Sequence, residues 1–185
     1  FKNRKRHSPE SVKLAKTIAD ESTVLLKNEN QLLPLDTKSL KSIAIIGPNA
    51  DQVQFGDYTW SRNNKDGVTP LQGIKNRVNK NTAIHYAKGC SLTSLDTSGI
   101  AEAVEAAKNS EVAVIFGGSA SAALARDYKS STCGEGFDLN DLNLTGAQSQ
   151  LIREVYRTGT PVILVLVTGK PFVIEWEKNN LPAIL

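Results

Sequence analysis

The chain has 185 residues, which is enough for one domain with its own hydrophobic core. Apolar residues make up 40% and charged residues 22% of the sequence, and the net charge is +3, which together indicate a globular domain and exclude an intrinsically disordered chain. No basic cluster alternates with aromatic residues, and no apolar run approaches the roughly 20 residues of a membrane span. Nucleic-acid binding and membrane insertion are therefore not expected.

The first predicted element is a helix that begins after Ser8. Serine is a favoured N-cap, and Pro9 and Glu10 suit the first helical turn. Apolar or small residues then recur with the 3.6-residue period of an amphipathic helix. The helix is predicted to end near Lys27-Asn28, before the loop that leads to Pro34.

The remaining elements alternate between strand and helix. In chain order, the sequence predicts a buried strand at 42–47, a helix from 69, a weaker strand at 82–87, a helix at 100–107, a buried strand at 112–116, a helix at 147–155, a strand at 161–167, a short helical turn at 171, and a strand at 181–185. At least four such alternations predict a doubly wound α/β domain, with a mainly parallel sheet and helices on both faces.

Chemistry in such a domain is expected in the loops beyond the carboxyl ends of the strands, here 47–69, 117–142 and 168–171. The second loop is much longer than the usual connection, and long loops are often functional. It carries Glu135 between Gly134 and Gly136, which allow a sharp turn that projects the carboxylate; on this local pattern alone, a solvated surface charge is the favoured interpretation. The first loop carries Tyr58 and Trp60, which either form a sugar-stacking platform or pack on the core edge.

Other kinds of site find little support in the sequence. The turns after the strands lack both the dinucleotide-binding glycine pattern and the P-loop motif. His7 and His85 have no histidine or cysteine companion nearby, so neither a metal site nor a histidine-based catalytic triad is expected. Cys90 and Cys133 match no zinc-binding spacing; two unrelated thiols are expected, and a single disulfide stays open.

An ordered series of segments resembles the C-terminal α/β sandwich domain of glycoside hydrolase family 3, the family of β-glucosidases and β-xylosidases. The hallmark is the stretch Val-Leu-Leu-Lys-Asn followed by Leu-Leu-Pro-Leu, which is present at 24–28 and 32–35. The further segments that match, in the same order as in the family, are 43–50, 56–58, 69–71, 134–138, 142–148, 165–171 and 181–185.

The resemblance implies a retaining, exo-acting β-glycosidase that needs no cofactor. The first choice is a β-glucosidase, and β-xylosides are the alternative substrate. Glu135 corresponds to the family's acid/base. Trp60 or Tyr58 corresponds to the aromatic wall of the aglycone site, while Asp57 either bonds sugar hydroxyls or orders its loop. Arg126 and Asp138 are expected to brace the long loop; Asp127 is a poorer acid/base candidate than Glu135.

The resemblance also bears on domain organisation. Residues 1–185 are expected to form a single domain that is a fragment of a larger protein, because Phe1 is not a start residue and the final strand looks cut off. The nucleophilic aspartate is expected on a preceding barrel domain, so the fragment alone should be inactive. The expected partners are that barrel and a β-linked oligosaccharide or glycoside, in a periplasmic or secreted protein.

Two other functions remain open from the sequence. One is a binding module that engages carbohydrates or a partner protein without catalysis, which Tyr58 and Trp60 would serve if Glu135 were dispensable. The other is a nucleotide-binding domain of the flavodoxin-like type, which the missing phosphate-binding loop disfavours.

Overall fold

The structure is a computed structural model that describes residues 8–59, 67–121, 132–136, 138 and 140–185. Its elements, in chain order, are α1 (Pro9–Ser22), β1 (Lys27–Asn28), a 3-10 turn (Glu29–Gln31), β2 (Ser42–Ile46), α2 (Pro70–Arg77), β3 (Ala83–Ala87), α3 (Ile100–Lys108), β4 (Val112–Gly118), α4 (Gln148–Tyr156), β5 (Val162–Val167), α5 (Glu175–Asn180) and β6 (Ala183–Ile184).

The strands form one six-stranded sheet in the order β1-β6-β5-β4-β2-β3. Every neighbouring pair is parallel except β1 and β6, which run antiparallel. The four inner strands, β2, β4, β5 and β6, are apolar runs of the sequence. Strand β4 is buried along its whole length. Strands that are buried on both faces read as continuous apolar runs, which is why their positions could be predicted. The predicted mainly parallel α/β sheet is confirmed.

Alternate residues of each central strand enter two separate cores. Ala44 and Ile46 of β2 pack with α3 and α4 on one face of the sheet. Ile43 and Ile45 pack on the other face, together with Leu71 of α2. Because successive side chains of a strand point to opposite faces, this division places helices on both sides of the sheet. The predicted layering is therefore confirmed.

Helix α1 ends five residues earlier than predicted. Ser8 caps it as expected by accepting a hydrogen bond from the Ser11 N–H, but the backbone is already extended at Thr23. Leu26 then donates its N–H to the Ile184 carbonyl at 2.9 Å, so this segment joins the sheet edge instead of continuing the helix. No residue of α1 is buried within the described part of the chain. Among the described residues, no helix has the length and apolar character that crossing a membrane requires.

The predicted helical turn at Pro171 is also misplaced. The last helix begins at Glu175, four residues further on, and residues 171–174 are not helical. Within this stretch the Val173 N–H donates to the Leu142 carbonyl at 2.8 Å, which ties the segment to the end of the long loop. This hydrogen bond to a residue distant in sequence keeps residues 171–174 from joining the helix.

Both cysteines are free thiols, which confirms the expectation of two unrelated groups. Cys90 is buried in the core beneath α3 and α4. Burial raises the pKa of the Cys90 thiol to about 11, because the charged thiolate would lose its hydration there. Cys133 is partly exposed and lies on the long loop after β4.

Candidate active site

The candidate site lies where the strand order reverses. The chain passes from β2 to β3 on one side and then to β4 on the other side of β2, so the loops after β2 and β4 leave the sheet next to each other. In open α/β sheets, ligands bind in the crevice beyond the carboxyl ends of the strands at such a switch point.

A pocket of about 170 Å³ occupies this position. All three loops that the sequence predicts to be functional contribute to it. Its lining residues are Gln54, Phe55 and Gly56 after β2, Ser119, Ala120, Ser121 and Cys133 on the loop after β4, and Val167, Thr168 and Gly169 at the end of β5.

The side-chain amide of Asn49 joins the loops beneath this pocket. Asn49 is completely buried, and its Nδ2 donates to the carbonyl oxygens of Gly117 at 3.3 Å and Ser119 at 3.2 Å. Its Oδ1 accepts a hydrogen bond from Gln54 Nε2 at 2.8 Å. A buried amide whose donor and acceptor are both satisfied fixes the groups that it joins. Asn49 therefore sets the distance between the loop after β2 and the end of β4.

Gln148 plays the corresponding role on the other side of β4. Its buried side chain accepts from the Gly118 N–H at 2.8 Å and donates to the Gly118 carbonyl at 3.0 Å and to the Leu92 carbonyl at 3.2 Å. Gly118 has a φ of +118°, a conformation that L side chains rarely adopt. One glutamine at the start of α4 thus holds the backbone at the point where the chain leaves the sheet.

Glu135 is exposed on the loop that follows β4. The loop runs beside its own start, because the N–H groups of Thr132 and Cys133 donate to the Ala120 carbonyl at 2.9 and 3.3 Å. Gly134 and Gly136 have φ angles of +138° and +68°, so the backbone turns sharply on both sides of Glu135. The two glycines supply the turn that the sequence predicts, and the carboxylate projects from it.

Asp57 and Tyr58 reach Glu135 from the loop after β2. The Glu135 N–H donates to Asp57 Oδ2 at 2.6 Å, a short hydrogen bond of the charge-assisted kind. The Tyr58 side chain lies near the side chain of Glu135, which raises the pKa of the phenol. The backbone of the candidate acid/base is therefore bound by one residue of the neighbouring loop, and its side chain lies near another.

The pKa of Tyr58 lies above its ordinary value, chiefly because its hydroxyl is hydrogen-bonded to Glu135. Partial desolvation and the negative charges of Glu135 and Asp57 act in the same direction. The phenol is otherwise open to solvent, since Tyr58 is 83% exposed. Because the neutral phenol is favoured, the Tyr58 hydroxyl keeps its proton and can act as a hydrogen-bond donor towards the side chain of Glu135.

Replacing Glu135 with glutamine is expected to lower the pKa of Tyr58 towards its ordinary value, because the negative charge and the carboxylate acceptor are both lost. Ultraviolet titration of tyrosinate measures this, with Tyr58→Phe identifying the signal of Tyr58 among the four tyrosines. Asp141→Asn, which removes an exposed carboxylate from the same loop, serves as the control. An unchanged titration of Tyr58 in Glu135→Gln would contradict the contact.

The structure brings together three of the four predicted site residues: Asp57, Tyr58 and Glu135. Trp60 lies outside the described residues, as do Arg126 and Asp127. Asp138 is exposed, and the expectation that it braces the long loop stays a prediction. No group of three or more His, Cys, Asp or Glu side chains that could hold a metal ion occurs in the described part of the chain.

Sequence reasoning assigned no role to Asn49 or Gln148. A signal existed for each, since Asn49 follows the Gly47-Pro48 turn after β2 and Gln148 stands at the start of a helix that follows the long loop. A polar residue at such a position is usually solvated, however, and only the fold shows that both amides are buried and fully bonded.

Comparison with known proteins places the chain in a family. Residues 23–185 match the family model described as glycosyl hydrolase family 3 C-terminal domain. A β-xylosidase from Formosa agariphila is 40% identical over 174 residues, which cover 91% of this chain and 23% of that protein. A periplasmic β-glucosidase from Salmonella typhimurium is 35% identical over 197 residues, covering 94% of this chain and 24% of the relative. The chain thus spans about a quarter of the length of these curated relatives.

Solved structures agree with the sequence relatives. A β-glucosidase from Erythrobacter marinus superimposes with a TM-score of 0.80 at 30% identity, covering 96% of this chain and 26% of that one. A family 3 exo-β-xylosidase captured with a xylobiose aziridine probe has a TM-score of 0.76 at 28% identity, covering 95% of this chain and 21% of that one. With the matching family model and the shared fold, this chain belongs to the C-terminal domain family of the family 3 glycoside hydrolases.

Proposed function

We propose that this chain is the second domain of a retaining, exo-acting β-glycosidase and that Glu135 is the catalytic acid/base. The observation that carries the proposal is the position of Glu135 at the carboxyl edge of the sheet, on a turn whose backbone is bound by Asp57 and whose side chain lies near Tyr58, both on the loop after β2. Family membership supports the reaction class, because the relatives include β-glucosidases and β-xylosidases.

In the first step, the Glu135 carboxyl donates its proton to the glycosidic oxygen while a second carboxylate attacks the anomeric carbon. The bond to the leaving group breaks, and a covalent glycosyl-enzyme forms. In the second step, the Glu135 carboxylate takes a proton from water, which attacks the anomeric carbon and releases the sugar with retained configuration. The two carboxyl groups of a retaining enzyme stand about 5–5.5 Å apart.

The second carboxylate is proposed to be an aspartate on a barrel domain of the same protein, as the family resemblance implies. The chain then supplies one half of an active site, and it should not hydrolyse glycosides alone. Its length relative to the curated relatives is consistent with this division, since it spans 23–24% of the two bacterial proteins.

Tyr58 is proposed to form part of the aglycone site. Its ring is exposed and stands beside Glu135, so it can face the apolar C–H surface of a sugar or an aryl leaving group. Trp60 is proposed for the same wall on the family resemblance. The first choice of substrate is a β-glucoside and the alternative is a β-xyloside, and proteins named for each activity occur among the relatives.

The experiment that tests the proposal measures hydrolysis of phenyl β-glucoside and phenyl β-xyloside by the full-length protein, with proton NMR of the first sugar released. We expect hydrolysis of at least one substrate, with the β-anomer appearing first. The 185-residue chain alone and phenyl α-glucoside with the full-length protein are the controls, and neither should react. First release of the α-anomer, or hydrolysis of neither β-substrate, would overturn the proposal.

A further inference from the structure

A single hydrogen bond joins the backbone of Glu135 to a loop 78 residues away in the sequence. Its donor is the Glu135 N–H and its acceptor is Asp57 Oδ2, at 2.6 Å. The two loops follow β2 and β4, which are neighbouring parallel strands. Asp57 therefore reaches across the switch point and holds the residue proposed to transfer the proton.

The backbone that Asp57 binds has unusual freedom. Gly134 and Gly136, on either side of Glu135, both lie in the positive-φ region that glycine reaches at little cost. A glycine on each side leaves the intervening peptide with many accessible orientations, and fixing it requires a contact that offsets the lost entropy. The hydrogen bonds of Thr132 and Cys133 to Ala120 fix the loop only up to Gly134. Beyond that point, among the described residues, the backbone of Glu135 is bound by Asp57, which lies on another loop.

The second carboxylate oxygen of Asp57 is closed to an incoming substrate. Asp57 Oδ1 is enclosed and has no hydrogen-bond partner within the described part of the chain. An incoming sugar hydroxyl could not reach this oxygen without a movement of the loop. The oxygen that remains, Oδ2, is already bonded to the backbone of Glu135, at 2.6 Å.

We propose that Asp57 is a positioning residue for Glu135: it fixes the backbone of the turn, so that the carboxyl group stands at the leaving oxygen. This inference rests on the proposed function. The sequence leaves two roles open for Asp57, and this inference favours the ordering of a loop. The loop concerned is the one that carries the acid/base. Small displacements of a catalytic group can cost about a hundredfold in rate.

The test compares substrates that differ in their need for a proton. Dinitrophenyl β-glycosides leave readily without protonation, whereas phenyl β-glycosides need the general acid. In the full-length protein, Asp57→Ala is expected to lower kcat/KM, which reports the first step, by about 10- to 100-fold on the phenyl substrate, with a much smaller loss of kcat/KM on the dinitrophenyl substrate. Asp57→Asn retains an oxygen acceptor but loses the charge, so it should give an intermediate loss with the same selectivity.

Asp51→Asn is the matched control. Asp51 lies on the same loop, and its carboxylate accepts a hydrogen bond from Thr69 at 2.8 Å instead of from Glu135. It should leave both substrates nearly unaffected. A purely structural role of Asp57 would lower kcat/KM on both substrates equally, and a substrate-binding role would raise KM on both with kcat preserved; either result overturns the inference.

Two further comparisons keep the test decisive. If Asp57→Ala does not fold, Asp57→Asn alone decides, because an equal loss on both substrates or no loss on either would reject positioning. Glu135→Ala in the same assay separates this inference from the proposed function. Leaving-group selectivity in Glu135→Ala but not in the Asp57 variants rejects only the positioning role, while its absence in Glu135→Ala rejects the assignment of the acid/base itself.

Discussion

Replacing Glu135 with alanine in the full-length protein is expected to reduce kcat/KM for a phenyl β-glycoside by about 100- to 10,000-fold, the usual contribution of a general acid. The proton that the leaving phenolate requires then has no donor. The second step loses its base as well, so the glycosyl-enzyme should accumulate on dinitrophenyl substrates, whose first step needs no acid. Steady-state kinetics on both substrates, together with a burst of dinitrophenolate, measure the two effects.

Addition of azide tests the same assignment in a second way. It is a nucleophile that needs no base, so it should restore turnover of Glu135→Ala on the dinitrophenyl substrate and yield the β-glycosyl azide. Asp141→Ala removes an exposed carboxylate six residues further along the same loop and should behave like the unaltered protein. Wild-type turnover of the phenyl substrate by Glu135→Ala, or no response to azide, would exclude Glu135 as the acid/base.

The second large effect is on stability: Gly47→Ala is expected to lower the free energy of unfolding by more than about 3 kcal/mol. Gly47 has a φ of +114°, and a Cβ built on it would lie 2.3 Å from the carbonyl oxygen of Phe116. That oxygen belongs to the backbone of β4 and also accepts the Asn49 N–H, so it cannot move aside without disturbing the sheet and the turn. Urea unfolding of the domain, followed by circular dichroism, measures the change.

Gly159→Ala is the matched control for this substitution. Gly159 also has a positive φ, of +80°, but a Cβ there would meet no atom within 4 Å. It therefore carries the backbone strain without the clash, and a loss of about 1 kcal/mol is expected. Equal losses for the two substitutions would show that the close approach to Phe116 contributes nothing.

Much of the fold could be predicted because its determinants are local. The central strands are continuous apolar runs, and the helices α1 and α2 begin at the capping residues Ser8 and Thr69, each followed by proline. The two errors in helix boundaries have a non-local cause. Leu26 bonds to Ile184 and Val173 bonds to Leu142, and neither partner can be read from the neighbouring sequence.

The candidate site likewise contains residues that the sequence indicates and contacts that only the fold creates. On the local pattern alone, Glu135 between two glycines of a long loop is expected to be a solvated charge, and the ordered family motifs on both sides are what indicate the acid/base. Tyr58 is indicated as an aromatic residue in a polar loop after a strand. Their mutual contact, and the hydrogen bond from Glu135 to Asp57, depend on two loops that only the sheet order brings together. Burial of Asn49 and Gln148 likewise depends on packing, so sequence reasoning had no ground for preferring them to other polar residues.

The main chain beside the pocket has a consequence for substitution of the residues around it. At 47–49 and 116–119 it is held by bonds between main-chain atoms: the Asn49 N–H donates to the Phe116 carbonyl and the Ser119 N–H to the Val167 carbonyl. Such bonds survive the substitution of most side chains. Residues that line the pocket, such as Phe55 and Thr168, can therefore be exchanged while the backbone next to them keeps its course.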